Sequence, residues 1–180
     1  VTAPCRHWEN GAFVETSAMS RHTRFDCPGD VGSYDIYRMY HEELESLVQT
    51  FPSIRHAQFW MSFSASYLTH LRVLQNVGMT GIEPVMHNGV EIVPLQFLKT
   101  VLPEPSGLGA DTTGQTCIGV IAQGKTRSDG RNRRIYVYNI CDHTDAYHEV
   151  GSQAVSYTTG VPAMIGAKQI ATGLWQHPGV

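Results

Sequence analysis

Two short stretches of the sequence combine residue types that can do chemistry. In the first, His41, Glu42, Glu43 and Glu45 follow closely on Arg38 and Tyr40. A histidine titrates near neutral pH and can both take and give a proton. Carboxylates beside it can hold a cation or support its charged form. On a helix, His41 would share a face with Leu44 and Val48, turned inward or into a cleft. The bland alternative is a solvated helix whose glutamates are favoured near its start by the helix dipole. The second stretch is 149–160. There Ser152, Ser156, Tyr157, Thr158 and Thr159 supply five hydroxyls and Gln153 an amide. Such a run either caps and joins helices or rims a ligand, and the residue types leave both readings open.

Several familiar machines are missing. No G-x-G-x-x-G follows a strand and opens a helix, and there is no P-loop and no G-x-S-x-G elbow. An enzyme built on this chain therefore binds its cofactor through another region or uses none. No H-x-x-x-H or H-E-x-x-H is present, so Cys141-Asp142-His143 and His148-Glu149 are not expected to hold a metal. Cys5, Cys27, Cys117 and Cys141 are scattered, with no C-x-x-C. They suit thiols in a reducing compartment, hence a cytoplasmic location.

Composition narrows the class further. The chain has 180 residues, a net charge of -3, 42% hydrophobic and 16% charged residues. That length buries a core and fits one domain, 1–180, and that composition is not a disordered one. The mildly acidic balance argues against a nucleic-acid partner. No apolar run approaches the roughly 18 residues that span a bilayer, so no membrane partner is expected. The sequence begins at Val1 without Met or a signal-peptide pattern, and reads as the interior of a longer protein.

The elements that must position these residues follow from periodicity and turn chemistry. Residues 6–9 and 12–15 flank Asn10-Gly11 as a hairpin, and 20–26 is expected to pair alongside. The spacing of Tyr37, Tyr40, Leu44, Leu47, Val48 and Phe51 predicts a helix over 33–50, stopped by Pro52. Residues 56–63 read as a buried, aromatic-rich strand. A helix over 66–76 turns Leu68, Leu71, Val73 and Leu74 inward, and Gly78 ends it. A small hairpin spans 83–93, and Pro94 opens a helix over 95–102. Residues 103–114 read as a loop. Strands 116–122 and 134–140 form an antiparallel hairpin. The stretch 150–173 reads as a helix kinked or broken near Gly160-Val161-Pro162, and should pack closely on a partner. The pattern predicts an α+β fold, a mixed and largely antiparallel sheet with helices packed on it.

Four segments, taken in order, carry a resemblance. They are 39–47 (MYHEELESL), 59–79 (FWMSFSASYLTHLRVLQNVGM), 93–102 (VPLQFLKTVL) and 149–165 (EVGSQAVSYTTGVPAMI). They resemble the saccharopine dehydrogenase-like oxidoreductases, in their carboxynorspermidine dehydrogenase branch, from Trp8 to the end of the chain. The resemblance implies an α+β second domain of an enzyme whose Rossmann domain precedes Val1. It implies condensation of L-aspartate β-semialdehyde with a diamine, putrescine or 1,3-diaminopropane. NADPH then reduces the imine, and the subunits pair as a homodimer. The fragment alone is expected to be inactive, and 150–173 to pack on the Rossmann domain.

Read against that chemistry, His41 is the expected catalytic proton carrier. Glu42, Glu43 and Trp60 are expected to receive the distal ammonium, with Asp142 in reserve. Arg38, Ser152, Gln153 and Thr158 are expected to hold the α-carboxylate. The resemblance also places Tyr157, Thr159 and Gly160 near the nicotinamide of NADPH. Two alternatives stand beside this reading: a saccharopine-type amino-acid dehydrogenase, and a module serving only subunit assembly.

Overall fold

The computed structural model describes residues 4–177, without the side chains of Pro105 and Ser106. The chain ends, on which the expectation of a longer protein rested, lie outside them. The α+β class holds, and every described strand pairing is antiparallel. The chain separates into two compact units. The first holds the described residues through Asp26 and Ser33–Pro103, the second Cys27–Gly32 and Glu104–His177.

In chain order the first unit contains β1 (Cys5–Glu9), β2 (Ala12–Thr16), β3 (His22–Asp26), β4 (Ser33–Met39), α1 (Glu43–Thr50), β5 (His56–Ala57) and β6 (Phe59–Ser62). It continues with α2 (Ala65–Asn76), β7 (Val85–His87), β8 (Val90–Ile92) and α3 (Pro94–Val101). The β1–β2 hairpin closes on Asn10 and Gly11 at φ 50° and 92°, the left-handed pair such a turn needs. β5 adds on the other side of β1, and a separate sheet runs β3-β4-β6.

This second sheet corrects three expectations. Residues 33–39 are a strand, so the helix predicted over 33–50 keeps only its latter part. Tyr34, Ile36 and Tyr37 suit an extended backbone, and β4 hydrogen-bonds to neighbours on both sides. That tertiary pairing overrides the three-and-four spacing. Residues 20–26 do pair, but with β4 and not with the first hairpin. The 56–63 strand divides at Gln58 between the two sheets and is only half-buried, with His56 and Met61 exposed. In α2, the Ser64 hydroxyl caps the helix by accepting from Tyr67 N at 3.1 Å. Leu68, Leu71 and Leu74 turn inward, but Val73 is 55% exposed, outside the predicted stripe.

The second unit contains a 3₁₀ turn (Gly29–Val31), a 3₁₀ helix (Pro105–Asp111) within the predicted loop, β9 (Gln115–Lys125), β10 (Asn132–Asp142), α4 (His143–Val150) and α5 (Ala154–Ala171). β9 and β10 pair from Gln115↔Asp142 to Lys125↔Asn132, longer than predicted at both ends. The break in 150–173 lies at Gly151–Gln153, because Gly151 takes φ 68° and ends α4 in the left-handed region. α5 then runs without interruption through Gly160 and Pro162. No described helix is long and apolar enough to cross a membrane.

Candidate functional site

Arg38 is the best-defined chemical group of the first unit. It stands on β4 directly opposite Trp60 of β6, with Met39 opposite Phe59. Successive strand residues face opposite sides, so Arg38 and Trp60 share one face and Met39 and Phe59 the other. From its face Arg38 reaches to the first hairpin. Its Nη1 lies 3.3 Å from His7 Nε2, and its Nη2 donates to Thr16 Oγ1 at 3.4 Å. His7 alternates inward with Cys5 on β1, and the two are 4% and 2% exposed.

A second polar cluster sits where β1 meets α1. The Arg6 guanidinium donates to Tyr40 Oη at 3.1 Å and to the Glu45 carboxylate. Tyr40 also donates to Glu45. Arg6 stacks over the rings of Phe13 and Tyr40, at 5.2 and 4.8 Å from their centroids. The Glu45 hydrogen bond, then burial, pushes the Tyr40 phenol above its usual range. The Tyr40 hydrogen bond holds Arg6 above its own. This cluster is self-neutralised.

His41 does not ride on the helical face of Leu44 and Val48, because α1 begins only at Glu43 with Glu42 as its cap residue. It occupies the turn after β4. Its ring lies 4.7 Å from that of Phe59, a residue facing away from Arg38 and Trp60. The carboxylates of Glu43 and Glu42 lie 3.4 and 3.7 Å from its Nδ1. Their side chains are 73% and 82% exposed, so both remain open to solvent and to a cation.

The remaining candidates belong to the second unit. Ser152 lies in the turn between α4 and α5. Gln153 caps α5 by accepting from Val155 N at 2.8 Å. Thr158 Oγ1 donates to Ala154 O at 2.8 Å, and Thr159 Oγ1 to Val155 O at 2.8 Å. Tyr157 Oη donates to the Glu149 carboxylate at 3.0 Å, which pushes the phenol up. The position of a Cβ on Gly160 would meet nothing within 4 Å. Asp142, the reserve acid, caps α4 by accepting from Thr144 N at 2.8 Å and Asp145 N at 3.2 Å. Within the first unit the structure places Arg38 and Trp60 on one face of the sheet and His41, with Glu42 and Glu43 beside it, on the Phe59 side, apart from them; the 152–160 residues belong to the other unit.

The family is decided by sequence comparison. A family model described as the saccharopine dehydrogenase C-terminal domain matches residues 1–180. The chain belongs to that family. This saccharopine dehydrogenase C-terminal domain is 48% identical over 180 residues to a Synechocystis protein named carboxyaminopropylagmatine dehydrogenase. It is 41% and 40% identical over 175 residues to proteins of Vibrio alginolyticus and Vibrio cholerae named carboxynorspermidine synthase. The match takes in 100% and 97% of this chain but 44% and 41% of those relatives. The chain thus spans less than half the length of the curated relatives it matches.

In this C-terminal domain, sequence reasoning missed the two groups nearest Arg38. The signal for His7 was available in principle: it alternates with Cys5 in a hairpin strand, so both point inward. Thr16 carried none, since its partner is 22 positions away and pairs through a different sheet. His143 was weighed only for metal and has a structural place. It is buried, and its Nδ1 accepts from Ala154 N at 3.2 Å, capping α5.

Proposed function

We propose that this chain is the substrate-binding and dimerisation part of an NADPH-dependent dehydrogenase. The enzyme condenses L-aspartate β-semialdehyde with a diamine, putrescine or 1,3-diaminopropane, and reduces the imine. The observation that carries the reading is Arg38. It is half-buried, yet no carboxylate pairs with it among the described residues. A fixed cation without a counter-ion suits the α-carboxylate of an amino-acid substrate.

The other roles follow the same chemistry. The amine nitrogen attacks the aldehyde carbon and water leaves, which needs a proton acceptor and a donor. His41 takes both roles from its turn, with Glu43 and Glu42 beside it. Those two carboxylates receive the distal cation of the amine, and the Trp60 ring, on the opposite face beside Arg38, lines the carboxylate end. In the second unit, Ser152, Gln153 and Thr158 are assigned to substrate contact. Open space beside Gly160 and the hydroxyl oxygens of Thr159 and Tyr157 fit a nicotinamide carboxamide. NADPH supplies the hydride that reduces the imine carbon. The apolar side of the β9–β10 ribbon supports a homodimer, with Val120 and Val137 69% and 67% exposed. α5 is assigned to packing on the Rossmann domain, and the free thiols fit a cytoplasmic enzyme.

A second reading of the amine follows from the Synechocystis relative, whose name contains agmatine. A guanidinium end would suit the adjacent Glu42 and Glu43, because it presents several donors at once. The test uses the full-length protein and follows NADPH oxidation with the semialdehyde and each amine in turn. Turnover with putrescine or 1,3-diaminopropane supports the first reading, and preference for agmatine the second. Turnover only with lysine and 2-oxoglutarate, or none with any pair, overturns both. R38Q should raise the semialdehyde KM roughly tenfold or more, the effect of losing one charge-assisted hydrogen bond.

A further inference from the structure

Two arginines of the described chain are half-buried, Arg6 and Arg38; the others are exposed. They are treated in opposite ways. Arg6 is matched by the Glu45 carboxylate. Arg38 is gripped at two of its nitrogens by groups other than carboxylates, the His7 imidazole at 3.3 Å and the Thr16 hydroxyl at 3.4 Å. Holding a guanidinium with such acceptors fixes its plane while leaving its charge intact. A carboxylate in the same place would have fixed it too, but would have cancelled the attraction for an incoming anion.

The protonation pattern around His7 fits this arrangement. A guanidinium can only donate, so with Arg38 as partner Nε2 is the acceptor and the ring proton sits on Nδ1. Glu9 lies 3.4 Å from the same Nε2, but on a side chain 46% exposed, whereas that of His7 is 5% exposed. His7 Nδ1 and Arg38 Nε are both shielded from solvent without a hydrogen-bond partner. Each lies one carbon atom away from the Arg38–His7 contact. Leaving buried donors unpaired is costly, and a surface arginine with no task would swing into water and avoid it.

We propose that His7 and Thr16 are positioning residues. They hold Arg38, from the sheet across from its own, with its charge unneutralised and the free N–H groups of its two Nη atoms turned to the substrate carboxylate. This rests on the reading that Arg38 receives that carboxylate. His7 is placed to act through Arg38 and not by touching substrate, since it is almost wholly enclosed.

The test uses the full-length enzyme and separate KM values for the semialdehyde, the amine and NADPH. Two pairs of variants are compared. H7A removes the acceptor and H7Q keeps an amide oxygen at the Nε2 position. T16V removes the hydroxyl at nearly constant shape and T16S keeps it. The expected result is a semialdehyde KM raised about tenfold in H7A, by loss of a hydrogen bond to a charged group. T16V should give a smaller rise in the same direction. The KM values for amine and NADPH should stay within about twofold of wild type, a factor worth far less than one such bond. H7Q and T16S should recover most of the loss. Equal rises in all three KM values, or no recovery in H7Q and T16S, would overturn the proposal. If H7A does not fold, the Thr16 pair, at a half-buried edge position, decides alone. R38Q separates the two levels. An unchanged semialdehyde KM in R38Q removes the carboxylate reading itself. A raised KM in R38Q with unchanged values in H7A and T16V removes only the positioning roles.

Discussion

Replacing His143 should reveal how α4 and α5 are joined. Its imidazole is 9% exposed and accepts from the N–H of Ala154, which is fully enclosed at 0% exposure. That N–H is one of the donors a helix start leaves without an intrahelical partner. No water can reach it, so H143L should leave a buried donor unmade at a cost of about 1–3 kcal/mol. The backbone of His143 stays anchored through its own N–H to Gly114 O at 2.9 Å, so the substitution isolates the side chain. H143N puts an amide oxygen near the Nδ1 position and should recover part of the loss. For a chain of this size the H143L penalty corresponds to a melting point lower by roughly 2–12 °C. Urea unfolding followed by far-UV circular dichroism measures it as a shifted midpoint with unchanged slope. A loss in H143L below about 0.5 kcal/mol, the range of ordinary surface changes, would refute the capping role. So would an H143N protein no more stable than H143L.

Three further outcomes are expected. In G119A, the new Cβ would lie 2.6 Å from Val137 O and 2.8 Å from Tyr138 Cβ, so the β9–β10 ribbon must shift; urea unfolding should show a loss of about 1–3 kcal/mol. Burial, with the Cys117 hydrogen bond second, pushes the Tyr136 phenol up to about 12. A raised phenol pKa stabilises the fold fully below the unfolded value near 10. That stability is lost as pH rises from there through 12, and alkaline titration of wild type against Y136F should show the difference in this window. The Tyr40 phenol, raised chiefly by Glu45, should ionise at lower pH in E45Q, read from phenolate absorbance against Y40F.

The local elements were legible because turn and cap chemistry is local. Asn10-Gly11 and Asn88-Gly89 adopt the left-handed angles their types favour, and both hairpins form around them. Pro94 opens its helix as its fixed φ suits. The α+β class followed from these pieces. The failures cluster where a distant partner decides. Residues 33–39 show helical spacing from Tyr37 onward, yet β3 and β6 capture them as a strand. The same capture removed His41 from the helix on which its inward direction depended. The break expected at Gly160 rests on propensity, whereas the real one is set by Gly151, which ends α4, and by the Gln153 cap, which starts α5.

The chemistry divides in the same way. Residue types alone marked Arg38, His41, Glu42 and Glu43 as chemically able, and the ordered motifs pointed to the family. That information lies in single positions and short spacings. Only the tertiary structure showed that no carboxylate pairs with Arg38 among the described residues, that His7 and Thr16 contact it, and that His41 packs on Phe59, away from the Arg38 face. Those facts depend on which strand lies beside which, and on which alternate face each side chain takes. A shift of one residue in the β4 register would turn Arg38 to the other face of the sheet.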